Sequence, residues 1–197
     1  MNQKAAFIKK SNNIVVIGAS AGGIIALKTI FGQIKKPLNC PVLVVIHRPK
    51  QGSHKLDEVL GYSSNLTIKE ASNQEPMLDG IIYLAASNYH LLVENDGTLS
   101  LSLSDRVNFS RPSIDVTFYN VVKQFGNRVT GIILTGANED GAFGLGAIAS
   151  AGGKTIVQKP QEAQISVMPE AALKMAPDSK QLTLHEISNY LLSNFSS

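Results

Sequence analysis

The chain has 197 residues, of which 44% are hydrophobic and 17% are charged, and its formal net charge is +3. This composition excludes an intrinsically disordered chain, and the length suits a single α/β domain with a substantial core. The single cysteine, Cys40, excludes both an internal disulfide framework and a zinc site made of cysteines alone.

Hydropathy and charge patterning narrow the class of protein further. The longest apolar runs, at 14–19 and 41–46, are far shorter than the ~20 residues that cross a bilayer, and the N-terminus lacks the apolar segment of a signal peptide. Lysines and arginines are scattered and tryptophan is absent, whereas nucleic-acid-binding surfaces concentrate positive charge beside aromatic side chains. No H-x-x-x-H pair of metal ligands occurs. We therefore expect a cytoplasmic protein with no membrane insertion, no nucleic-acid partner and no metal.

The first third of the chain opens with a predicted βαβ unit. The apolar run at 14–18 ends in glycines, which is typical of a buried parallel strand that turns into a helix. Apolar residues then recur at helical spacing from 22 to about 34, and Val42–Ile46 predicts the second buried strand. A short helix is expected around 53–60.

The middle of the chain is its least regular part, with strands predicted at 81–84 and 90–94. The tripeptide Asn-Asp-Gly at 95–97 comes next, and leucines then alternate with polar residues from 99 to 103. A tight-turn sequence between two such runs predicts an antiparallel hairpin.

Regular alternation of strands and helices resumes after residue 110, and such alternation forms parallel sheets that are covered on both faces. We therefore predict a doubly wound, mainly parallel α/β sheet, with helices on both faces and one antiparallel hairpin excursion. The remaining elements are a helix at 113–125, a strand at 131–134, a helix at 142–151, a strand at 155–157, and helices at 169–174 and 184–195.

The first predicted strand ends in the turn Gly18–Gly23, at the edge of the sheet where ligands bind in such folds. Three interpretations of this turn stay open. The G-x-S-x-G pattern is typical of a nucleophile elbow, which exposes the hydroxyl of Ser20. The spacing also fits a phosphate-binding turn at a helix N-terminus, and Ser20 could equally be a helix cap.

The end of the second strand favours the nucleophile. A dinucleotide site needs a carboxylate here for the ribose hydroxyls, whereas this strand is followed by His47 and Arg48. Arg48 could bind a 2′-phosphate, so a nucleotide- or NADP-binding module that uses the Gly18–Gly23 turn is the alternative function. A histidine on the strand next to Ser20 suits a general base, because imidazole accepts a proton near neutral pH.

The third strand end supplies the carboxylate that orients a base histidine. Asp140 and Glu139 both lie on the loop that follows the strand at 131–134. Asp-Gly is also a common turn sequence, so a turn that caps the next helix is the competing interpretation. Asp115 is a further candidate, which we interpret as a charge in the first turn of its helix. Three strand ends together predict a serine, a histidine and a carboxylate at one edge of the sheet.

Several separated segments, beyond the strand ends described above, occur together in the order found in a known family: IGASAGG (17–23), IHRP (46–49), RPSIDVTF (111–118), GIILTGANEDGA (131–142), AGGKTIVQ (151–158) and MPEAA (168–172). On these segments, the chain resembles the catalytic domain of the chemotaxis-receptor methylesterases of the CheB type. The resemblance implies hydrolysis of glutamyl methyl esters, and often deamidation of glutamines, on chemoreceptor cytoplasmic helices, with no cofactor. It assigns Ser20 as the nucleophile and His47 as the general base. It favours Asp140 over Glu139 as the residue that orients the base.

The chain departs from the family pattern in two respects. The common motif T-G-M-G-x-D-G has Ala137 in place of methionine and Asn138 in place of glycine, which bears on substrate preference more than on reaction type. Members of the family usually carry an N-terminal receiver domain, whereas about a dozen residues precede the first strand here. We therefore expect an N-terminal extension at 1–13, a catalytic domain at 14–197 without a receiver domain, and activity that needs no phosphorylation.

Overall fold

A seven-stranded parallel sheet forms the centre of the computed structural model, which describes residues 12–47, 56–61 and 65–196. The strands are β1 (Ile14–Ala19), β2 (Val42–Ile46), β3 (Thr67–Glu70), β4 (Ile81–Leu84), β5 (His90–Val93), β6 (Leu99–Ser102), β7 (Val129–Ile133), β8 (Lys154–Gln158) and β9 (Lys180–Leu182). The helices are α1 (Gly23–Gln33), α2 (Leu56–Gly61), α3 (Ile114–Phe125), α4 (Ala142–Ser150), α5 (Val167–Met175) and α6 (Leu184–Phe195).

Strand β1 lies in the middle of the sheet, whose order is β3-β4-β2-β1-β7-β8-β9. It pairs in parallel with β2 on one side and with β7 on the other. Ala19, the last residue of β1, is opposite Ile46, the last residue of β2. Gly18 is opposite Ile133, the last residue of β7. The residues that follow these three strands therefore meet at one edge of the sheet.

Helices cover both faces of the sheet. Successive residues of a strand point to opposite faces, so Val16 belongs to one core cluster whereas Val15 and Ile17 belong to the other. Helices α3, α4 and α5 contribute to the first cluster, and α1, α2 and α6 contribute to the second. The predicted doubly wound α/β fold is confirmed.

The predicted hairpin is present, because β5 and β6 pair antiparallel in a separate two-stranded sheet. Side chains of α3 hold this hairpin. The amide of Asn120 accepts from the N–H of Val93 at 2.7 Å and donates to its carbonyl at 3.3 Å. The hydroxyl of Thr117 donates to the carbonyl of Leu91 at 2.8 Å. The hairpin therefore packs against the helix whose N-terminus lies at the candidate site.

Two edge strands were not predicted from the sequence. Strand β3 has no fully buried residue, and β9 has only three residues. Edge strands are often short and partly solvated, so they lack the continuous apolar run that marks a central strand. The helix expected around 53–60 corresponds to α2, although 53–55 lie outside the described residues, as do residues 1–11 of the expected extension. No helix within the described ranges is long and apolar enough to cross a membrane.

Candidate active site

Ser20 lies in the three-residue turn between β1 and α1. Its backbone N–H donates to the carbonyl of Thr135 at 3.0 Å, and its carbonyl accepts from the N–H of Gly23 at 2.8 Å. Its hydroxyl makes no hydrogen bond with any other described residue. The turn therefore fixes the backbone of Ser20 and leaves its hydroxyl available to a substrate.

Glycines make this tight turn possible. Gly22 precedes α1 with a φ of 79°, in the left-handed region that favours glycine. On the neighbouring loop, a Cβ added at Gly136 would lie 2.9 Å from the Cβ of Ser20 and 2.7 Å from the Sδ of Met168. The loop after β7 can therefore approach Ser20 closely only because residue 136 has no side chain.

His47 follows β2 directly and lies beside Ser20. Its backbone N–H donates to the carbonyl of Ala19 at 3.1 Å, which continues the pairing of β1 and β2. Its Nε2 is 2.8 Å from Oδ2 of Asp140. The side chain of His47 is 14% exposed and that of Asp140 is fully buried, so little water reaches this contact.

Asp140 also accepts hydrogen bonds from the N-terminus of α3. The donors are the N–H of Ile114 at 2.7 Å, the hydroxyl of Ser113 at 2.9 Å and the N–H of Asp115 at 3.1 Å. Burial by itself raises the pKa of Asp140, but the hydrogen bonds from His47 and from the two N–H groups outweigh it and hold this pKa below its ordinary value. The carboxylate therefore stays ionised and can accept a hydrogen bond from Nε2–H of His47.

Asp115 lies in the first turn of α3, as expected, but its carboxylate faces α4. Its Oδ1 accepts from the N–H of Gly144 at 2.7 Å, and its Oδ2 accepts from the Nδ2 of Asn108 at 3.3 Å. Burial raises the pKa of Asp115 to about 6, and the charge of Asp140 acts in the same direction. Asp115 therefore caps the neighbouring helix, while Asp140 contacts His47.

The remaining candidates do not contribute to this cluster. Glu139 is exposed, although it adjoins Asp140 in sequence. Arg48, on which the NADP alternative depends, lies outside the described residues. Burial raises the pKa of the Cys40 thiol to about 12, so this cysteine is not a nucleophile at neutral pH. Across the described ranges, no group of three or more histidine, cysteine or acidic residues is placed to hold a metal ion.

Sequence reasoning missed how the N-terminus of α3 is held in place. His90 is buried, and its Nδ1 accepts from the backbone N–H of Ser113 at 3.2 Å. Its Nε2 is 3.0 Å from the carbonyl of Asp105. Ser113 carries the one local signal, as a serine at a helix N-cap, whereas the contacts of His90 depend on the folding of the hairpin.

Comparisons with known proteins agree with this architecture. The CheB methylesterase family model matches residues 15–191. A putative protein-glutamate methylesterase/protein-glutamine glutaminase of Leptospira interrogans is 41% identical over 178 residues, which cover 90% of this chain and 92% of that relative. The protein-glutamate methylesterase/protein-glutamine glutaminase of Salmonella typhimurium is 32% identical over 98% of this chain and 56% of its own length. The crystal structure of the Thermotoga maritima CheB methylesterase catalytic domain matches with a TM-score of 0.87 at 29% identity, over 92% of this chain and 97% of that chain.

The fold and these comparisons define a hydrolase domain built on a doubly wound α/β sheet. The chain belongs to the CheB methylesterase family, so the resemblance identified in the sequence is confirmed. It spans nearly the whole Leptospira relative and about half of the Salmonella relative.

Proposed function

We propose that the chain hydrolyses glutamyl methyl esters on the cytoplasmic domain of a methylated chemoreceptor, through Ser20, His47 and Asp140. The observation that carries the proposal is the partly buried 2.8 Å contact between Nε2 of His47 and Asp140, next to the turn that presents Ser20. The names of the Leptospira and Salmonella relatives, as protein-glutamate methylesterases, support the choice of substrate.

Asp140 selects the tautomer of His47. An ionised carboxylate is only an acceptor, so Nε2 of His47 carries the proton in this contact. The lone pair of the neutral ring is then on Nδ1. Nδ1 is therefore the atom that accepts the proton of the Ser20 hydroxyl.

Hydrolysis proceeds through an acyl-enzyme. The Oγ of Ser20 attacks the ester carbonyl carbon while its proton passes to Nδ1 of His47. The tetrahedral intermediate breaks its bond to the methoxy group, which takes the proton from His47 and leaves as methanol. Water then attacks the acyl-enzyme with His47 again as the base, which releases a glutamate side chain and restores Ser20. Asp140 stabilises the imidazolium that forms in both halves of the reaction.

The same acyl-enzyme serves the second activity in the names of the relatives. Attack on a glutamine amide gives an equivalent tetrahedral intermediate, from which ammonia leaves instead of methanol. We therefore extend the proposal to deamidation of receptor glutamines. No step requires a cofactor. Residues 14–197 form the catalytic domain in this proposal, and the substrate places the reaction in the cytoplasm.

Release of methanol from a methyl-labelled receptor tests the proposal directly. The full chain is incubated with a receptor cytoplasmic fragment that carries labelled methyl esters, and volatile label is counted over time. We expect release by the wild type and by Ser150→Ala, which changes an exposed serine at the end of α4, and none by Ser20→Ala. Full release by Ser20→Ala contradicts the mechanism, and no release by the folded wild type contradicts the substrate.

A further inference from the structure

The second ring nitrogen of His47 has a partner in this structure. Nδ2 of Asn138 is 3.3 Å from Nδ1 of His47, on the opposite side of the ring from Asp140. Asn138 lies on the loop after β7 and is partly buried. The nitrogen that must accept the serine proton is therefore occupied by a side-chain amide in the free enzyme.

The orientation of this amide follows from hydrogen-bond chemistry. The backbone N–H of Asp140 donates to Oδ1 of Asn138 at 3.2 Å. A backbone N–H cannot accept a hydrogen bond, so the amide oxygen must face Asp140 and the NH₂ group must face His47. An NH₂ group is only a donor, so Nδ1 of His47 must present its lone pair to it. Asn138 and Asp140 thus select the same tautomer of His47 from opposite sides of the ring.

We propose that Asn138 is a positioning residue whose amide holds the general base, His47, and must be displaced before His47 can react. We call this contact between Asn138 and His47 the latch. The inference rests on the proposed function of Ser20, His47 and Asp140. The latch keeps His47 in the tautomer that can accept a proton. It also occupies the one in-plane lone pair that the Ser20 hydroxyl needs, so the two hydrogen bonds exclude each other.

Proton transfer makes this competition unavoidable. When Nδ1 takes the proton of Ser20, it becomes a donor that faces the NH₂ group of Asn138, and the hydrogen bond turns into a repulsive contact. The Asn138 side chain must therefore leave before or during acylation. Its contact with His47 is longer than that of Asp140, at 3.3 Å against 2.8 Å, and its neighbours Ala137 and Glu139 are exposed. Of the two partners of His47, Asn138 makes the longer contact and lies near solvent, so it is Asn138 that leaves.

Two substitutions of Asn138 distinguish a contact that must be displaced from a contact that only stabilises the structure. Asn138→Ala removes the amide and frees Nδ1. Asn138→Asp has nearly the same shape and keeps an oxygen for the N–H of Asp140, but it turns the group that faces Nδ1 from a donor into an acceptor. A carboxylate there draws a proton onto Nδ1, which then can no longer accept the proton of Ser20.

The rate of modification of Ser20 by a small fluorophosphonate measures the availability of the base without a receptor. We expect Asn138→Ala to react about twofold to tenfold faster than the wild type, on the scale of one neutral hydrogen bond. We expect Asn138→Asp to react at least about tenfold slower. If Asn138 only stabilised the structure, Ser20 of Asn138→Ala would be modified more slowly than Ser20 of the wild type. Modification of Asn138→Ala at the wild-type rate or more slowly therefore overturns the latch.

Nitrogen NMR of the labelled His47 ring reports which ring nitrogen carries the proton. A loss of stability alone would not change this result. His47 is assigned by comparison with the spectrum of His47→Gln. We expect Nδ1 to be unprotonated in the wild type and in Asn138→Ala, and protonated in Asn138→Asp. A protonated Nδ1 in the neutral ring of the wild type overturns the latch even if Ser20 is reactive. Absence of any modification at Ser20 in the wild type contradicts the proposed function instead, so the two failures are distinct.

Discussion

At the residue scale, local contacts shift the pKa values of two neighbouring carboxyls, Asp140 and Asp115, in opposite directions. Both are buried at the junction of α3 and α4, where each accepts hydrogen bonds from backbone N–H groups. Asp140 has the additional contact with His47, which favours its charged form. Burial raises the pKa of Asp115, and the charge of Asp140 also opposes its ionisation. One carboxyl therefore stays charged for the histidine, and the other holds its proton up to a pH of about 6.

The contact between Asp140 and His47 predicts a large loss of activity in Asp140→Asn. The amide can present an NH₂ group to Nε2 of His47, which favours the tautomer that has no lone pair on Nδ1. We expect kcat to fall by up to about 10⁴, the scale of a neutralised triad carboxylate. Initial rates of ester hydrolysis at saturating substrate measure this effect.

Glu139→Gln is the matched control, because it neutralises the adjacent carboxyl, which is exposed. We expect its kcat to stay within about threefold of the wild type, as for a surface charge that touches no reacting group. If Glu139→Gln lost more activity than Asp140→Asn, the assignment of the orienting acid would be wrong.

The raised pKa of Asp115 predicts a pH dependence of stability. A carboxyl whose pKa rises from 3.8 to about 6 on folding binds more protons in the folded state across that window. Its contribution therefore favours folding at low pH and is lost as the pH rises through about 6. At about 1.4 kcal/mol per pKa unit, the loss amounts to roughly 2 to 3 kcal/mol.

Asp115→Asn removes this titration and keeps an oxygen for the N–H of Gly144. We expect the free energy of unfolding of the wild type to fall relative to that of Asp115→Asn between pH 4 and pH 7, as measured by urea titrations. A difference between the two proteins that is constant over this range, or that grows in favour of the wild type, would show that Asp115 is not held protonated.

At the element scale, the sequence predicts best those segments whose burial is continuous. Val42–Ile46 is fully buried and has the predicted bounds of β2. Helix α6 also has its predicted bounds, and its N-terminus carries a capping box between Thr183 and Glu186. Strands β3 and β9 were missed because edge strands expose much of their surface and leave little apolar pattern.

The turn between β1 and α1 gives a prediction that compares two glycines. Gly22 and Gly97 both have positive φ, at 79° and 85°. A Cβ at Gly22 would lie 2.7 Å from Oε1 and 2.9 Å from Cβ of Gln164, whereas a Cβ at Gly97 would have nothing within 4 Å. Gly97→Ala therefore isolates the cost of the left-handed conformation, which is about 1 to 2 kcal/mol.

We expect Gly22→Ala to lower the free energy of unfolding by more than Gly97→Ala, because the added contacts force the turn to move. We also expect Gly22→Ala to slow fluorophosphonate modification of Ser20, and Gly97→Ala to leave it unchanged. Equal losses of stability, together with unchanged reactivity of Ser20 in both variants, would mean that the turn does not position the serine.

At the scale of the whole molecule, the topology brings together residues that are far apart in sequence. Ser20, His47 and Asp140 follow β1, β2 and β7, which are adjacent in the sheet, so the predicted strand ends bring these three candidates to one edge of the sheet. The contact of Asn138 with His47 could not be predicted in this way. It depends on a side-chain orientation between residues 91 positions apart, which no local pattern specifies.

The most direct test of the account is to locate the site of covalent modification by a fluorophosphonate. The intact chain is treated at neutral pH, digested and analysed by mass spectrometry. We predict one adduct, on the peptide that contains Ser20, and its loss in Ser20→Ala while Ser150→Ala is modified like the wild type. Modification at any other residue, or equal modification of Ser20→Ala, would contradict the assignment of Ser20 as the nucleophile.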